Sequence, residues 1–342
     1  MSKILVAMSG GVDSSVAAAR LVEEGHEVAG VTLKLWGGAQ DSGCCSVSDV
    51  DDARRVAQQL DIDHYVFNYG DAFTEFVVDP YVRAHSEGLT PNPCVECNRH
   101  IKFDALLERG LRLGYDAIAT GHHARRVDTP AGVRLARGAD PAKDQSYVLY
   151  MLSAAQLERL RFPVGSLTKD AVRDEATRLG LRTADKPDSQ DVCFITSSDG
   201  RRRFLGERID LHPGELIDEA GDIVGTVDAV ELVTIGQRKG LDLGGNAARS
   251  YAVAVDTPRR RVTVGPASSL LAERVELVDH SWTVSPVVGA IAAQTSAHGS
   301  PCPATLTDRG ELLWSEPQRR VAPGQMVVFY DGDVVVGGAT AA

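Results

Sequence analysis

The stretch TPNPCVECNRHIKF sets Cys94 and Cys97 three residues apart, between a proline-rich approach and a helical run. Two thiols at that spacing serve a metal clip, a redox disulfide, or one working thiolate beside a bystander. Without a second close pair or nearby ligating histidines, zinc is a weak reading. Cys97 stands at the expected start of the helix NRHIKFDALLERG and neighbours Arg99 and His100, a setting that favours a thiolate. Cys193 lies in the apolar run VCFI, which on its own reads as a buried core thiol. Cys44 and Cys45 suggest packing or a loop rather than chemistry, and Cys302 reads as structural.

A second chemical signal is ILVAMSGGVDSSVAA, a Ser-Gly-Gly-x-Asp-Ser turn between a strand and a helix. Two glycines let the backbone turn tightly, and the N–H groups that follow open a helix, where they suit phosphate. Ser9, Ser14 and Ser15 add hydroxyl donors, and Asp13 is placed to cap the helix or approach a nucleotide-bound Mg²⁺. The loop has neither the G-K-[ST] of a Walker A motif nor the G-x-G-x-x-G of a dinucleotide fold.

Strands alternating with amphipathic helices must position these groups. KILVAM, EVAGVTLKLW, HYVFNY and DAIATGHH read as strands, the last ending in a loop. SSVAAARLVEEG, VSDVDDARRVAQQLD, DAFTEFVVDPYVRAH, NRHIKFDALLERGLRLG and TKDAVRDEATRLG read as helices, the last with Thr168 as N-cap and Gly180 past its end. That alternation predicts an α/β domain with a parallel sheet covered on both faces. After Gly200 the chain turns into short β-rich runs cut by glycines. The expected domains are residues 1–198, a small β-rich linker domain over 199–269, and a C-terminal β-barrel over 270–342.

The chain has 342 residues, 43% hydrophobic and 24% charged, and no apolar run of membrane-spanning length, so a cytoplasmic protein is expected. Its six cysteines are too few for a disulfide scaffold. A net charge of -11 argues mildly against nucleic acid, but the charge is uneven. Residues 1–95 carry 6 Lys and Arg against 14 Asp and Glu, whereas residues 96–145 carry 9 against 7. Arg201, Arg202, Arg203, Arg238 and Lys239 form further basic islands, which suit either phosphate contacts or plain solvated faces.

SGGVDSS after a first strand resembles the PP-loop of ATP pyrophosphatases, which adenylate an oxygen and release pyrophosphate. Taken with GCCSVSDVDDARRVA, TPNPCVECNRHIKF, TGHHAR, KDQSYVLYML, PDSQDVCFI and TIGQRKGL, the chain resembles the bacterial tRNA-specific 2-thiouridylases, closely from Ser2 to about Leu241 and more loosely beyond. The resemblance implies an adenine nucleotide alpha hydrolase-like PP-loop domain and ATP- and Mg²⁺-dependent 2-thiolation of the wobble uridine of lysine, glutamate and glutamine tRNAs. It puts the nucleotide on Ala7, Met8, Ser9, Gly10, Gly11, Val12, Asp13 and Ser14, with Leu33 and Gly121 at the adenosine. Cys97 becomes the catalytic thiol and Cys193 the persulfide carrier, charged by a cysteine desulfurase or sulfur-relay protein.

The resemblance also puts Asn92, Pro93 and Cys94 around a flipped uridine. Lys143, Asp144 and Gln145 fall on a tRNA-facing loop, and His122 and Gln325 at further tRNA contacts. The competing reading gathers Cys94, Cys97 and Cys193 on a [4Fe-4S] cluster. Further rivals are another PP-loop adenylating enzyme, such as a 2-thiocytidine-type thiolase or an amide-forming synthetase, and a non-catalytic nucleotide- or RNA-binding module with a structural metal. The chain departs from the family's pattern in TSAHGSPCPA, which holds Ser296 and His298 where relatives carry an arginine-tyrosine-arginine stretch.

Overall fold

Strand β1 (Lys3–Ala7) sends Ile4 and Val6 into one apolar layer and Leu5 into another. That period-two alternation, apolar on both sides, marks a strand covered by helices on both faces. It pairs in parallel with β2 (Glu27–Lys34), which pairs with β3 (Asp63–Asn68). On its other side lies β4 (Ala117–Thr120). The chain then makes a hairpin of β5 (Ala124–Thr129) and β6 (Gly132–Arg137) and returns as the short β7 (Leu160–Arg161) beside β4. The sheet order is β3-β2-β1-β4-β7, all parallel, so the direction of winding reverses between β1 and β4. Ligands of such sheets bind at that reversal, beyond the carboxyl ends of the strands.

The computed structural model describes residues 1–36, 47–188, 192–195, 200–243 and 250–342; Cys44 and Cys45 lie outside them. Helices α1 (Val12–Glu23) and α2 (Val47–Gln59), with Lys169–Arg178, cover one face of the sheet through Val16, Ala53, Val56, Val172 and Ala176. Helical runs over 70–86 and 93–112 cover the other through Phe73, Val77, Ile101 and Leu106. Each run contains a π-helical segment, Thr74–Val78 and Cys97–Ala105. Such widened turns re-aim side chains and recur at functional sites.

Two antiparallel-rich sheets follow. One has five strands and its own core of Leu216, Val230, Val262 and Val264. The other has nine, over a core including Leu312, Val327 and Phe329. This larger sheet includes the hairpin β5–β6, where the sequence reading placed a loop. Ala136 pairs with Val334, and Arg125 bonds Asp333 at 2.9 Å. The first and last parts of the chain therefore share a sheet. Among the described residues no helix is long and apolar enough to cross a membrane.

Candidate active site

The Ser-Gly-Gly loop leaves the end of β1 at the winding reversal. Gly10 has φ +73°, and a side chain there would put Cβ 2.3 Å from the Asp49 carbonyl oxygen. Only glycine fits that approach. Gly11 is the N-cap of α1 and gives it no side-chain cap, so the first-turn N–H groups have no hydroxyl or carboxylate of their own cap to satisfy them. The Ser9 N–H donates to Ser14 Oγ at 3.2 Å, and the Ser14 hydroxyl donates to the Gly11 carbonyl at 3.1 Å. Met8 is buried and its backbone is engaged within the sheet, the N–H donating to the Val31 carbonyl at 2.8 Å and the carbonyl accepting from Thr32 at 2.8 Å. From β4, Gly121 comes so close that an added Cβ would sit 2.5 Å from Ser14 N. Leu33 is buried near the end of β2. Uncapped helix N–H groups, hydroxyls and glycine backbone at the switch point fit the phosphates of a nucleotide.

Asp13 caps nothing. Its carboxylate accepts bonds from Lys169 Nζ at 2.8 Å to both oxygens and meets His123 Nε2 at 3.0 Å. Burial would raise its pKa, but these hydrogen bonds and the Lys169 charge hold it below the ordinary value. Lys169 also contacts Asp188 at 2.8 Å, and Asp188 takes Lys143 at 2.7 Å and Arg173 at 3.1 Å. Burial works against the Asp188 carboxylate, yet the bonds from Lys143 and Lys169 bring it down to about 2. Beside this cluster Lys186 donates to the Gly10 carbonyl at 3.0 Å and to Asp49 and Asp52 at 2.6 and 2.8 Å. Residues 186–188, just ahead of Cys193, are thus fastened to the glycine loop from two sides. Sequence reading missed Lys169, Lys186 and Asp188. One signal was available: a lysine in the first turn of a helix opposes the helix dipole and needs another partner.

The helix bearing Cys94 and Cys97 starts at Pro93, four residues before the point expected from sequence. Asn92 caps it, accepting from the Cys94 N–H at 3.1 Å, and Pro93 suits the first turn. Cys97 therefore lies a full turn inside, 7% exposed, as the first residue of the π segment. Its basic neighbours are shared with Glu96, which is 3.6 Å from Arg99 and 3.3 Å from His100. Cys94 is exposed. Cys193 is half-buried at the edge of the apolar cluster that contains Cys97, so the fully buried position expected from VCFI belongs to its neighbour Phe194. Among the described residues no three His, Cys, Asp or Glu side chains are gathered as a metal would need, so Cys94, Cys97 and Cys193 as placed do not fit a [4Fe-4S] cluster.

The KDQSYVLYML stretch is largely turned inward. Lys143 pairs with Asp188. Asp144 is held by Arg137, Ser146 and the Gly138 N–H, and Gln145 accepts from the His123 N–H. Tyr147 donates to the Met326 carbonyl at 2.8 Å and Ser146 meets the Tyr330 hydroxyl at 3.1 Å, which makes the stretch a joint to the C-terminal sheet. His122 is also buried, hydrogen-bonded to Thr120 at 2.7 Å and packed against Phe103 and Phe162. Burial holds its pKa well below the ordinary value. Gln325 is half-buried beside Pro323 and Gly324, which pack on Leu89 and Thr90 just before Asn92. Arg201 donates to the Leu232 carbonyl, Arg202 faces Asp228 and Arg203 faces Glu207, while Arg238 and Lys239 are exposed.

A parallel sheet wound in this order, with an uncapped glycine loop at its switch point and no loop lysine, defines a nucleotide-binding enzyme of the PP-loop class. Family models described as the tRNA methyl transferase HUP domain, the tRNA methyl transferase PRC-barrel domain and the aminomethyltransferase beta-barrel domain match residues 2–197, 202–266 and 268–341. The tRNA-specific 2-thiouridylase MnmA of Roseiflexus castenholzii is 47% identical, covering 99% of this chain and 98% of its own. That of Cutibacterium acnes is also 47% identical, covering 99% and 96%. A solved 4-thiouridine synthetase–RNA complex with bound ATP matches 56% of this chain and 45% of its own at 15% identity and a TM-score of 0.39. The chain belongs to the tRNA-specific 2-thiouridylase family.

Proposed function

We infer that this protein replaces O2 of a tRNA wobble uridine with sulfur, using ATP to activate the oxygen and its own thiols to deliver the sulfur. The observation that carries this reading is the fastening of the segment before Cys193 to the glycine loop, through Lys186 to Gly10 and through Asp188 and Lys169 to Asp13. A thiol carrier that follows, in the chain, a segment fastened to the nucleotide site suits a reaction that couples adenylation to sulfur transfer. An amide-forming synthetase needs no such carrier.

In this reading the α1 N–H groups, Ser9 and Ser14 hold the ATP phosphates, and Leu33 and Gly121 border the adenosine. Mg²⁺ would travel with those phosphates, and Asp13 is the carboxylate at that place. Asn92, Pro93 and Cys94 face the flipped uridine, with Gln325 nearby. Uridine O2 attacks the ATP α-phosphorus and pyrophosphate leaves. The outer sulfur of a Cys193 persulfide then attacks C2, and the C2–O2 bond breaks as AMP departs. Finally the Cys97 thiolate attacks Cys193 Sγ and breaks the S–S bond. Sulfur stays on the base, a Cys97–Cys193 disulfide remains, and an external dithiol supplies the two electrons that reset it. The half-exposed Cys193 suits loading by a cysteine desulfurase or sulfur-relay protein.

The test is a single turnover under iron-free conditions, with persulfide-loaded protein, ATP and a lysine tRNA transcript, read on a mercury-containing gel. A shifted band that is lost in Cys193→Ser, and a Cys97–Cys193 disulfide found by mass spectrometry, are expected. Activity only after anaerobic cluster reconstitution would overturn the persulfide route.

A further inference from the structure

The reaction proposed above leaves Cys97 and Cys193 joined, and the carrier cannot take a new sulfur until that bond is broken. Cys97 is 7% exposed and belongs to the apolar cluster that the half-buried Cys193 borders. A reducing protein therefore meets a disulfide with one buried sulfur. Access to the attacked sulfur is one of the terms that set the rate of thiol–disulfide exchange. The third thiol of the region, Cys94, contributes no sulfur to any step so far.

Cys94 is exposed and stands three residues before Cys97 on the same helical run. The Cys97 N–H is shared between the carbonyls of Pro93 and Cys94. That second bond draws the turn toward 3₁₀ geometry, in which side chains at i and i+3 eclipse. Residues three apart on a helix have Cα atoms about 5 Å apart, inside the range that a disulfide spans. Asn92 pins the start of the turn through the Cys94 N–H at 3.1 Å, and buried Pro93 and Val95 seat it on the domain. One short, anchored turn thus carries a thiol in the core and a thiol at the surface.

We propose that Cys94 is the resolving thiol that clears the carrier after each turnover. The inference rests on the persulfide reading above. Once the thiolated base has left, the Cys94 thiolate attacks Cys97 Sγ. A Cys94–Cys97 bond forms, the Cys97–Cys193 bond breaks, and Cys193 departs as a thiolate ready to be charged again; no electrons are gained or lost. An external dithiol then attacks the exposed Cys94 Sγ and expels the Cys97 thiolate. Its second thiol releases Cys94 from the mixed disulfide, so the dithiol leaves oxidised and supplies the two electrons. Reduction happens at the surface, while the sulfur-transferring thiols stay sheltered.

The test gives the persulfide-loaded, iron-free full chain ATP and a lysine tRNA transcript without air or reductant. Samples are quenched in acid at intervals, alkylated and mapped by mass spectrometry. Early quenches should hold the Cys97–Cys193 bond. Later ones should hold Cys94–Cys97, with Cys193 alkylated as a thiol, mole for mole with thiolated tRNA. In Cys94→Ser, whatever thiolated tRNA forms should stay matched by a Cys97–Cys193 bond that does not move. When a protein dithiol is then supplied, later turnovers per first turnover should fall by about tenfold or more in that variant, because an intramolecular exchange becomes a bimolecular one at a buried sulfur. A Cys97–Cys193 bond that never moves in the wild type would overturn the proposal. So would an unchanged turnover ratio in Cys94→Ser, or a Cys94–Cys97 bond that forms without ATP. The wild-type map decides the matter should the variant fail to fold. No thiolated tRNA from the wild type would instead sink the persulfide reading beneath it.

Discussion

The ring of Phe194 packs 5.1 Å, centroid to centroid, from that of Phe204. Tyr81, Phe73 and Trp36 close around it at 5.4, 5.7 and 6.2 Å. Cys193 is the residue before this plug, so the aromatic cage fixes where its sulfur starts from. Trp36 lies just past the end of β2, the strand that carries Leu33, the residue proposed above to border the adenosine.

Removing the plug should therefore separate the two halves of the reaction. Phe194→Ala leaves a cavity of the kind that costs about 3–5 kcal/mol when a whole core must bear it. Here the loss falls first on a short segment. We expect thiolated tRNA to drop by about tenfold or more, because misplacing a reacting group by about 1 Å has that effect. Pyrophosphate release dependent on tRNA should continue, and Phe194→Leu should recover part of the transfer. If adenylation falls in step with thiolation, Phe194 supports the whole domain rather than the carrier.

Gly121→Ala should strike the nucleotide without touching the thiols. The new Cβ would meet Ser14 N at 2.5 Å, and backbone on both sides leaves no side chain to swing away. The first turn of α1 must shift, and ATP affinity should fall by about tenfold or more. Isothermal titration reads this directly. Wild-type affinity would mean that the loop yields more easily than its packing indicates.

Much of the architecture could be read from period and punctuation. Alternation in KILVA, helical spacing in TKDAVRDEATRLG, and Thr168 and Gly180 at its ends are local signals, and the structure bears them out. The glycine loop was legible for the same reason, since Gly10 needs its positive φ whatever surrounds it. Long-range partnerships were not. Nothing local tells that β5 and β6 leave the first sheet for the last one, or that Tyr147 reaches Met326 across 179 residues. The inward turn of Asp144 and His122 is of the same kind, because polar residues on a loop-like stretch look exposed until their partners are known. Lys186 and Asp188 sat in the quoted PDSQDVCFI neighbourhood, but their value depends on Gly10, Lys169 and Lys143, which are far away in the chain.

Lys186→Met probes one of those partnerships. Burial lowers the lysine's pKa, but Asp49 and Asp52 more than offset this and raise it, so at neutral pH the ammonium is held charged between them. Methionine keeps the stem and removes the charge. It leaves two carboxylates facing each other, with Arg182 still 3.1 Å from Asp52, and strips a donor from the Gly10 carbonyl. A loss of about 2 kcal/mol in unfolding free energy is expected, the scale of a charged hydrogen bond left unmade. Urea denaturation measures it. Adding Asp49→Asn should restore part of the loss, since it removes the repulsion between the Asp49 and Asp52 carboxylates. Strictly additive losses would show that the lysine and Asp49 do not act together.

His85 carries the clearest pH signature. It lies in the last turn of Asp79–Ser86, 3% exposed, with its ring 4.6 Å from that of Tyr81. Burial, then the charge of Arg201, lowers its pKa to about 4 from 6.5, against a weaker upward pull from the Glu231 backbone. Unfolding returns the imidazole to its ordinary value, so between those limits the unfolded chain binds the extra proton. Stability from this group is complete above the ordinary pKa and is lost as pH falls through the window. Its slope reaches up to about 1.4 kcal/mol per pH unit. Arg201 reaches the Leu232 carbonyl, so the strain falls where the first domain meets the second. In His85→Phe, urea midpoints measured from neutral pH down to about 4.5 should decline less steeply than in the wild type. Parallel curves would mean that the buried ring is already relieved of its penalty by a partner, and that the acid sensitivity of the protein lies elsewhere.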